Sequence, residues 1–213
     1  MSQVISSPRD AVARTRQAYH DHWETFLQAW GRGPYRRPLL LADMLRRVPP
    51  RKAYLLDLGC GAGQDLREIR RAGFRVIGLD LNRSLLHYAR RRSPRLTLVQ
   101  ADIRHLPYAA GTFDGVWAAA SLIHLRKASV QASLRCLATL TKPGGLFAAT
   151  FLHGRRSGIL QSGWIPGRFI SRWHKQELAT ALSQAGWAIV QLKTVSGQER
   201  KGRWLNLIAS RPA

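Results

Sequence analysis

Acidic residues are scarce in this chain: 12 Asp and Glu stand against 34 Lys and Arg over 213 residues, a formal net charge of +22. Such an imbalance points to an anionic partner, either nucleic acid or a small acidic substrate. Lysine is rare too, with six of the 34, so arginine carries the charge. Its runs, such as Arg36-Arg37, Arg70-Arg71, Arg90-Arg91-Arg92 and Arg155-Arg156, are scattered instead of gathered in one tail, which equally suits solvated helix faces. Cysteine is nearly absent. Cys60 and Cys136 can form no disulfide framework and have no metal-ligand spacing, which excludes a cysteine-built metal site and suits a reducing, cytoplasmic setting. No apolar run approaches the ~18 residues of a membrane span. Residues 1–10 lack the apolar core of a signal peptide. Internal repeats and low-complexity tracts are missing, and 45% apolar content suffices for one globular core.

What is present is concentrated at residues 55 to 65, Leu-Leu-Asp-Leu-Gly-Cys-Gly-Ala-Gly-Gln-Asp. An apolar run holding Asp57 leads into Gly59, Gly61 and Gly63, and a helical pattern follows. Glycines let a ligand approach the backbone, and the next helix offers unpaired N–H groups. The spacing G-x-G-x-G lacks the extra residue of the dinucleotide fingerprint, G-x-G-x-x-G. That tilts the reading from NAD toward S-adenosyl-L-methionine (SAM). A second apolar run ends in Asp80, placed to grip a ribose diol, and a third leads to Asp102 and Ile103. A fourth, from Phe113 to Ala119, opens onto Ser121-Leu122-Ile123-His124. Lys142-Pro143-Gly144-Gly145 then turns into a strand from Leu146 to Leu152.

These elements, in this order, resemble the class I SAM-dependent methyltransferases, particularly the small members with an L-D-x-G-C-G-x-G signature, over roughly residues 50 to 210. The resemblance implies an α/β, Rossmann-like doubly wound sheet of seven strands, ordered 3-2-1-4-5-7-6 with strand 7 antiparallel. It implies that Asp57, Gly59, Cys60, Gly61 and Gly63 hold the methionine part of SAM, and that Asp80, with Leu81 beside it, holds the ribose. Asp102 would meet the adenine amino group and Ile103 the ring. Ala119 and the residues up to His124 would floor the sulfonium, and Tyr19 would lie over the cofactor carboxylate.

Before that core, residues 1–50 read as a helical extension. Arg9 to Trp30 forms an amphipathic helix with Trp23, Phe26, Leu27 and Trp30 on one stripe, ended by residues 31–34, and a second helix follows from Arg36 to Val48. Helices are expected at about 63–72, 83–92, 126–141 and 174–185, and a hairpin at 187–195 and 203–209. The segment from His153 to Trp173 reads as a substrate lid. Methyl transfer needs a general base only where the acceptor must lose a proton. His124 and His153, each at a strand end, are the candidates, with packing as the alternative for both. Trp23, Trp164, Arg168 and Arg172 are candidate substrate contacts, Trp23 equally a core residue. No metal is expected. Three readings stay open: a small-molecule methyltransferase, an RNA (tRNA base) methyltransferase suggested by Arg168-x-x-x-Arg172-Trp173-His174, and a SAM-binding module without catalysis. Oligomeric state and acceptor atom are not legible.

Overall fold

A computed structural model describes residues 11–31, 35–49, 53–196 and 202–213. The N-terminal leader reading, most of the 31–34 helix stop and the tip of the C-terminal hairpin lie outside the described residues.

Apolar runs form the strands. β1 (Tyr54–Leu58), β2 (Arg75–Asp80), β3 (Thr97–Gln100), β4 (Phe113–Ala119) and β5 (Thr141–His153) pair in parallel, and β10 (Arg203–Ser210) runs antiparallel between β5 and β9 (Ala188–Ser196). The order is β3-β2-β1-β4-β5-β10-β9. Since β9 and β10 are the sixth and seventh long strands, this is the expected 3-2-1-4-5-7-6 arrangement. Consecutive residues of β1 serve opposite layers, as a sheet covered on both faces requires. Leu56 and Leu58 join Phe147 and Phe151 against α6 (Lys127–Leu140) and α7 (Lys175–Gln184). Leu55 joins Trp117 and Ile208 against α3 (Leu39–Arg47) and Ile69 of α4 (Gln64–Arg71). α5 (Arg83–Arg92) is capped by Asn82, whose side chain accepts from Leu85 N at 3.1 Å.

Two expectations need correction, and a third segment has more order than its sequence announces. The single helix expected from Arg9 to Trp30 is broken at His22 into α1 (Ala11–Asp21) and α2 (Trp23–Phe26), followed by a π-helical turn, Leu27–Gly31. A straight helix would set the aromatics on one stripe. The break and the wider turn send Trp23 and Leu27 against Ala62 and Leu85, Phe26 to the glycine turn, and Trp30 to the lid. Second, the Lys142–Gly145 turn lies inside β5 as a bulge. Phe113 pairs with Thr141 and Gly115 with Leu146, while Gly144 takes φ +74° and its N donates to Arg211 O, just past β10, whose N donates back to Gly145 O. Third, the segment from His153 to Trp173 carries order of its own. β6 (Gly158–Ile159) pairs with β7 (Phe169–Ile170), and β8 (Arg172–Trp173) adds to β5. Ser171 N donates to Ile123 O (2.7 Å), and Phe169 N to Thr15 Oγ1 (2.9 Å), which pins the segment to α1 and to the end of β4.

Candidate functional site

A cavity of about 1210 Å3 opens at the carboxyl ends of β1, β2 and β4, between the glycine turn, α1 and α2, and the ordered segment above. Ligand crevices of open α/β sheets occur at this edge.

The floor comes from the sequence motif. Gly59, Gly61 and Gly63 adopt φ of +78°, +51° and +73°. A Cβ on Gly59 would sit 2.4 Å from Ser121 Cβ, so the turn needs glycine both for its backbone angles and for its close approach to the β4 loop. Gly61 N donates to Asp80 Oδ2 and Asn82 N to Asp80 Oδ1, both at 2.8 Å. Asp80 lines the cavity beside Leu81 and, as a carboxylate with about four accepting sites, is not saturated by these bonds. Burial pushes the Asp80 carboxyl up, and the N–H groups of Asn82, Gly61 and Leu81 pull it partly back. Asp57 is 2% exposed, and its Oδ2 has no hydrogen-bond partner. Burial, and then the neighbouring charges of Asp65 and Asp80, hold its carboxyl well above the usual range. A cation in the cavity would relieve this concentration of negative charge.

Asp102, Ile103, Ala119 and Cys60 also line the cavity. Burial alone would raise the Asp102 carboxyl, but side-chain and backbone hydrogen bonds from Arg104 leave it lowered, and its Oδ2 lies 2.6 Å from Arg104 Nη2. Burial raises the Cys60 thiol, as do Asp57 and Asp80, the opposite of what an activated nucleophile needs. Gly63 stands behind the turn: its α-hydrogen side faces Ala89 and Leu96, so it sets the entry to α4 without reaching the cavity.

Of the two candidate bases, only His124 lines the cavity. Its Nδ1 lies 2.8 Å from the Phe169 carbonyl oxygen, which can only accept, so Nδ1 carries the proton. In the neutral ring Nε2 is then an acceptor, and the Tyr19 hydroxyl donates to it across 3.0 Å. Tyr19 lines the cavity as well and meets the His124 ring edge-on. His153 does not line the cavity; its neighbour Leu152 does, and since successive strand residues face opposite sides the His153 ring instead meets His174 at 5.5 Å. Trp23 is likewise a packing residue, set against Leu27, Ala62 and Leu85.

Trp164, Arg168 and Arg172 do line the cavity. Trp164 stacks on Phe26 (6.1 Å, 27°), meets Trp30 at 6.5 Å and carries the Arg168 guanidinium 4.6 Å above its ring centre. Sequence reasoning missed several cavity residues. Phe26 and Trp30 were hidden in an amphipathic stripe, and Thr15 and Arg16 look like ordinary helix surface. Asp65 was in plain view as the last residue of the motif. It accepts from Tyr35 Oη at 2.7 Å and Trp117 Nε1 at 2.8 Å. Burial, and then Asp65, push the Tyr35 phenol far up, so it stays a donor. Among the described residues no cluster of His, Cys, Asp or Glu is placed to hold a metal ion, and no helix is long and apolar enough to cross a membrane.

Known proteins are similar to this chain in sequence and in fold. A family model described as a methyltransferase domain matches residues 55–145. An uncharacterized methyltransferase of Synechocystis sp. is 31% identical over 152 residues, covering 67% of this chain and 70% of that protein. A malonyl-[acyl-carrier protein] O-methyltransferase of Enterobacter lignolyticus is 35% identical over 66% of this chain, which spans 57% of it. The chain thus spans little more than half the length of several curated relatives it matches. In fold it is similar to a 1,6-didemethyltoxoflavin-N1-methyltransferase of Burkholderia thailandensis, solved with 1,6-didemethyltoxoflavin and S-adenosylhomocysteine. The TM-score is 0.73 at 20% identity, over 100% of this chain and 94% of that one.

Proposed function

Because the chain belongs to the class I SAM-dependent methyltransferase family, we propose that it methylates a small organic acceptor inside the cavity, with S-adenosyl-L-homocysteine as the second product. The observation that carries this reading is one continuous cavity joining the glycine turn to the Tyr19–His124 pair and an aromatic wall. Bound SAM supplies a methyl group already activated on a sulfonium. The residues present fit it: an unpartnered buried oxygen on Asp57 suits a cationic group, and the lone pairs of Asp80 suit a diol. Asp57, Gly59, Cys60 and Gly61 would hold the amino-acid part, Asp80 and Leu81 the ribose, Asp102 and Ile103 the base, and Ala119 the floor. Gly63 would act by setting the helix start.

The protein's chemical work is then orientation, exclusion of water and removal of one acceptor proton. The acceptor proton passes to Tyr19 Oη as the phenol proton moves to His124 Nε2, and the Phe169 carbonyl holds the ring in place for that transfer. His153 has no part in it.

A nucleic-acid acceptor is the weaker reading. Gln64, at the start of α4, lines the cavity, whereas Arg70 and Arg71, at its end, line a separate shallow groove with Arg67 and Arg95. That basic groove therefore does not lead into the cleft. The two free cysteines fit a cytoplasmic setting. Methyl-labelled SAM incubated with the protein and a nuclease-free cell extract tests the proposal: label in low-mass material supports it, and label in RNA reverses the order of the two readings.

A further inference from the structure

Carboxylates and arginines both line the cavity, the exposed Arg16 and Arg36 among the latter. Its four carboxylates, Asp57, Asp65, Asp80 and Asp102, belong to β1, β2 and the segments that follow β1 and β3. Two of them are engaged, Asp65 by Tyr35 and Trp117 and Asp102 by Arg104. The opposite wall carries Arg168 and Arg172, both half-buried, and neither forms an ion pair among the described residues. Arg168 Nε is fully buried without a hydrogen-bond partner. A desolvated guanidinium nitrogen left without an acceptor is costly, and a carboxylate or enolate oxygen completes its fork.

This positive wall is distinct from the glycine turn. Phe26 lies against Gly61, where an added Cβ would meet its ring at 3.1 Å; Trp164 stacks on Phe26, and Arg168 on Trp164. The aromatic layer thus separates Arg168 from the turn assigned to the amino-acid part of the cofactor. Beside it, Trp30 and the apolar Leu160 and Ile170 leave flat hydrophobic surface in the cavity. We infer that the acceptor is a planar, conjugated anion, its ring against Trp30, Leu160 and Ile170 beside the Trp164 stack and its negative group held by Arg168 and Arg172. This rests on the methyl-transfer reading above.

The test is equilibrium binding to protein saturated with S-adenosyl-L-homocysteine, using naphthoate and indolecarboxylate, their neutral amides, and cyclohexanecarboxylate as a non-planar anion. The aryl carboxylates should bind at least about tenfold tighter than either comparison set, the scale of one charge-assisted hydrogen bond. Arg168→Gln should erase the preference over the amides while S-adenosyl-L-homocysteine affinity stays within about twofold. The exposed Arg155→Gln should keep both. Amides or cyclohexanecarboxylate binding as well as the aryl acids, or no binding by any aryl acid, would overturn the inference. So would loss of S-adenosyl-L-homocysteine affinity in Arg168→Gln, which would give that arginine to the cofactor. Failure of S-adenosyl-L-homocysteine to bind the unaltered protein would instead sink the methyl-transfer reading, and this inference with it.

Discussion

Asp57→Asn should make the free protein more stable and the liganded one weaker. Asp57 is 2% exposed, its Oδ2 is unpartnered, and Asp65 and Asp80 stand near it. The amide keeps the shape, and its oxygen can still accept from Leu66 N, while the buried charge disappears. Because the folded-state carboxyl is raised, its favourable contribution is complete below the ordinary carboxylate range and is lost as pH rises through the elevated folded value. The variant should therefore match the parent at the acid end and gain on it toward neutral pH. A relief of about 1 kcal/mol corresponds to about 2–4 °C in the melting temperature of a chain this size. In the complex the same change removes a charged acceptor, worth about 1.5–3 kcal/mol, so S-adenosyl-L-homocysteine should bind about 10- to 150-fold more weakly. Thermal melts of the free protein between pH 5 and 8 and calorimetric titration of the ligand measure the two halves. A variant that melts below the parent across that range, or that binds the ligand unchanged, refutes the assignment of Asp57 as an uncompensated charge awaiting a cation.

Gly59→Ala combines a left-handed φ of +78° with a Cβ placed 2.4 Å from Ser121 Cβ, so about 2–5 kcal/mol of stability should be lost. A melting temperature within a degree of the parent's would contradict that geometry. With an acceptor in hand, His124→Ala should lower kcat by about 10²–10⁴ if its proton must be removed. Tyr19→Phe should fall in the same direction, and His153→Ala should leave kcat and KM alone; a large effect at His153 would reverse the choice between the two histidines. Trp23→Ala should act on stability, by about 3–5 kcal/mol at most for an aromatic deletion. A change in acceptor KM without a change in melting would place Trp23 in the site after all.

The parallel sheet and its cofactor-type turn were legible because both are written locally. Strand patterns over five to seven residues specify β1, β2 and β4, and glycine is the residue that takes the positive φ angles at 59, 61 and 63 without strain. Asp57, Asp80 and Asp102 inherit their places from that local framework. Asp65 was overlooked because its partners, Tyr35 and Trp117, are brought to it from 30 residues before and 52 after.

What the tertiary structure decided was the choice among equivalent-looking residues. His153 ends β5 and His124 closes the short helical turn after β4, yet only His124 meets a tyrosine from α1 and a carbonyl from β7. Trp23 and Phe26 lie on the same helical stripe, but the break at His22 and the π-helical turn let α2 pack Trp23 inward and hold Phe26 between Gly61 and Trp164. Among 28 arginines, Arg168 stands out in the sequence only by its place in the 153–173 segment and its spacing from Arg172-Trp173-His174, which does not say what it meets. Its meaning comes from a desolvated position over Trp164, and desolvation is a property of the folded surroundings, which no spacing along the chain contains.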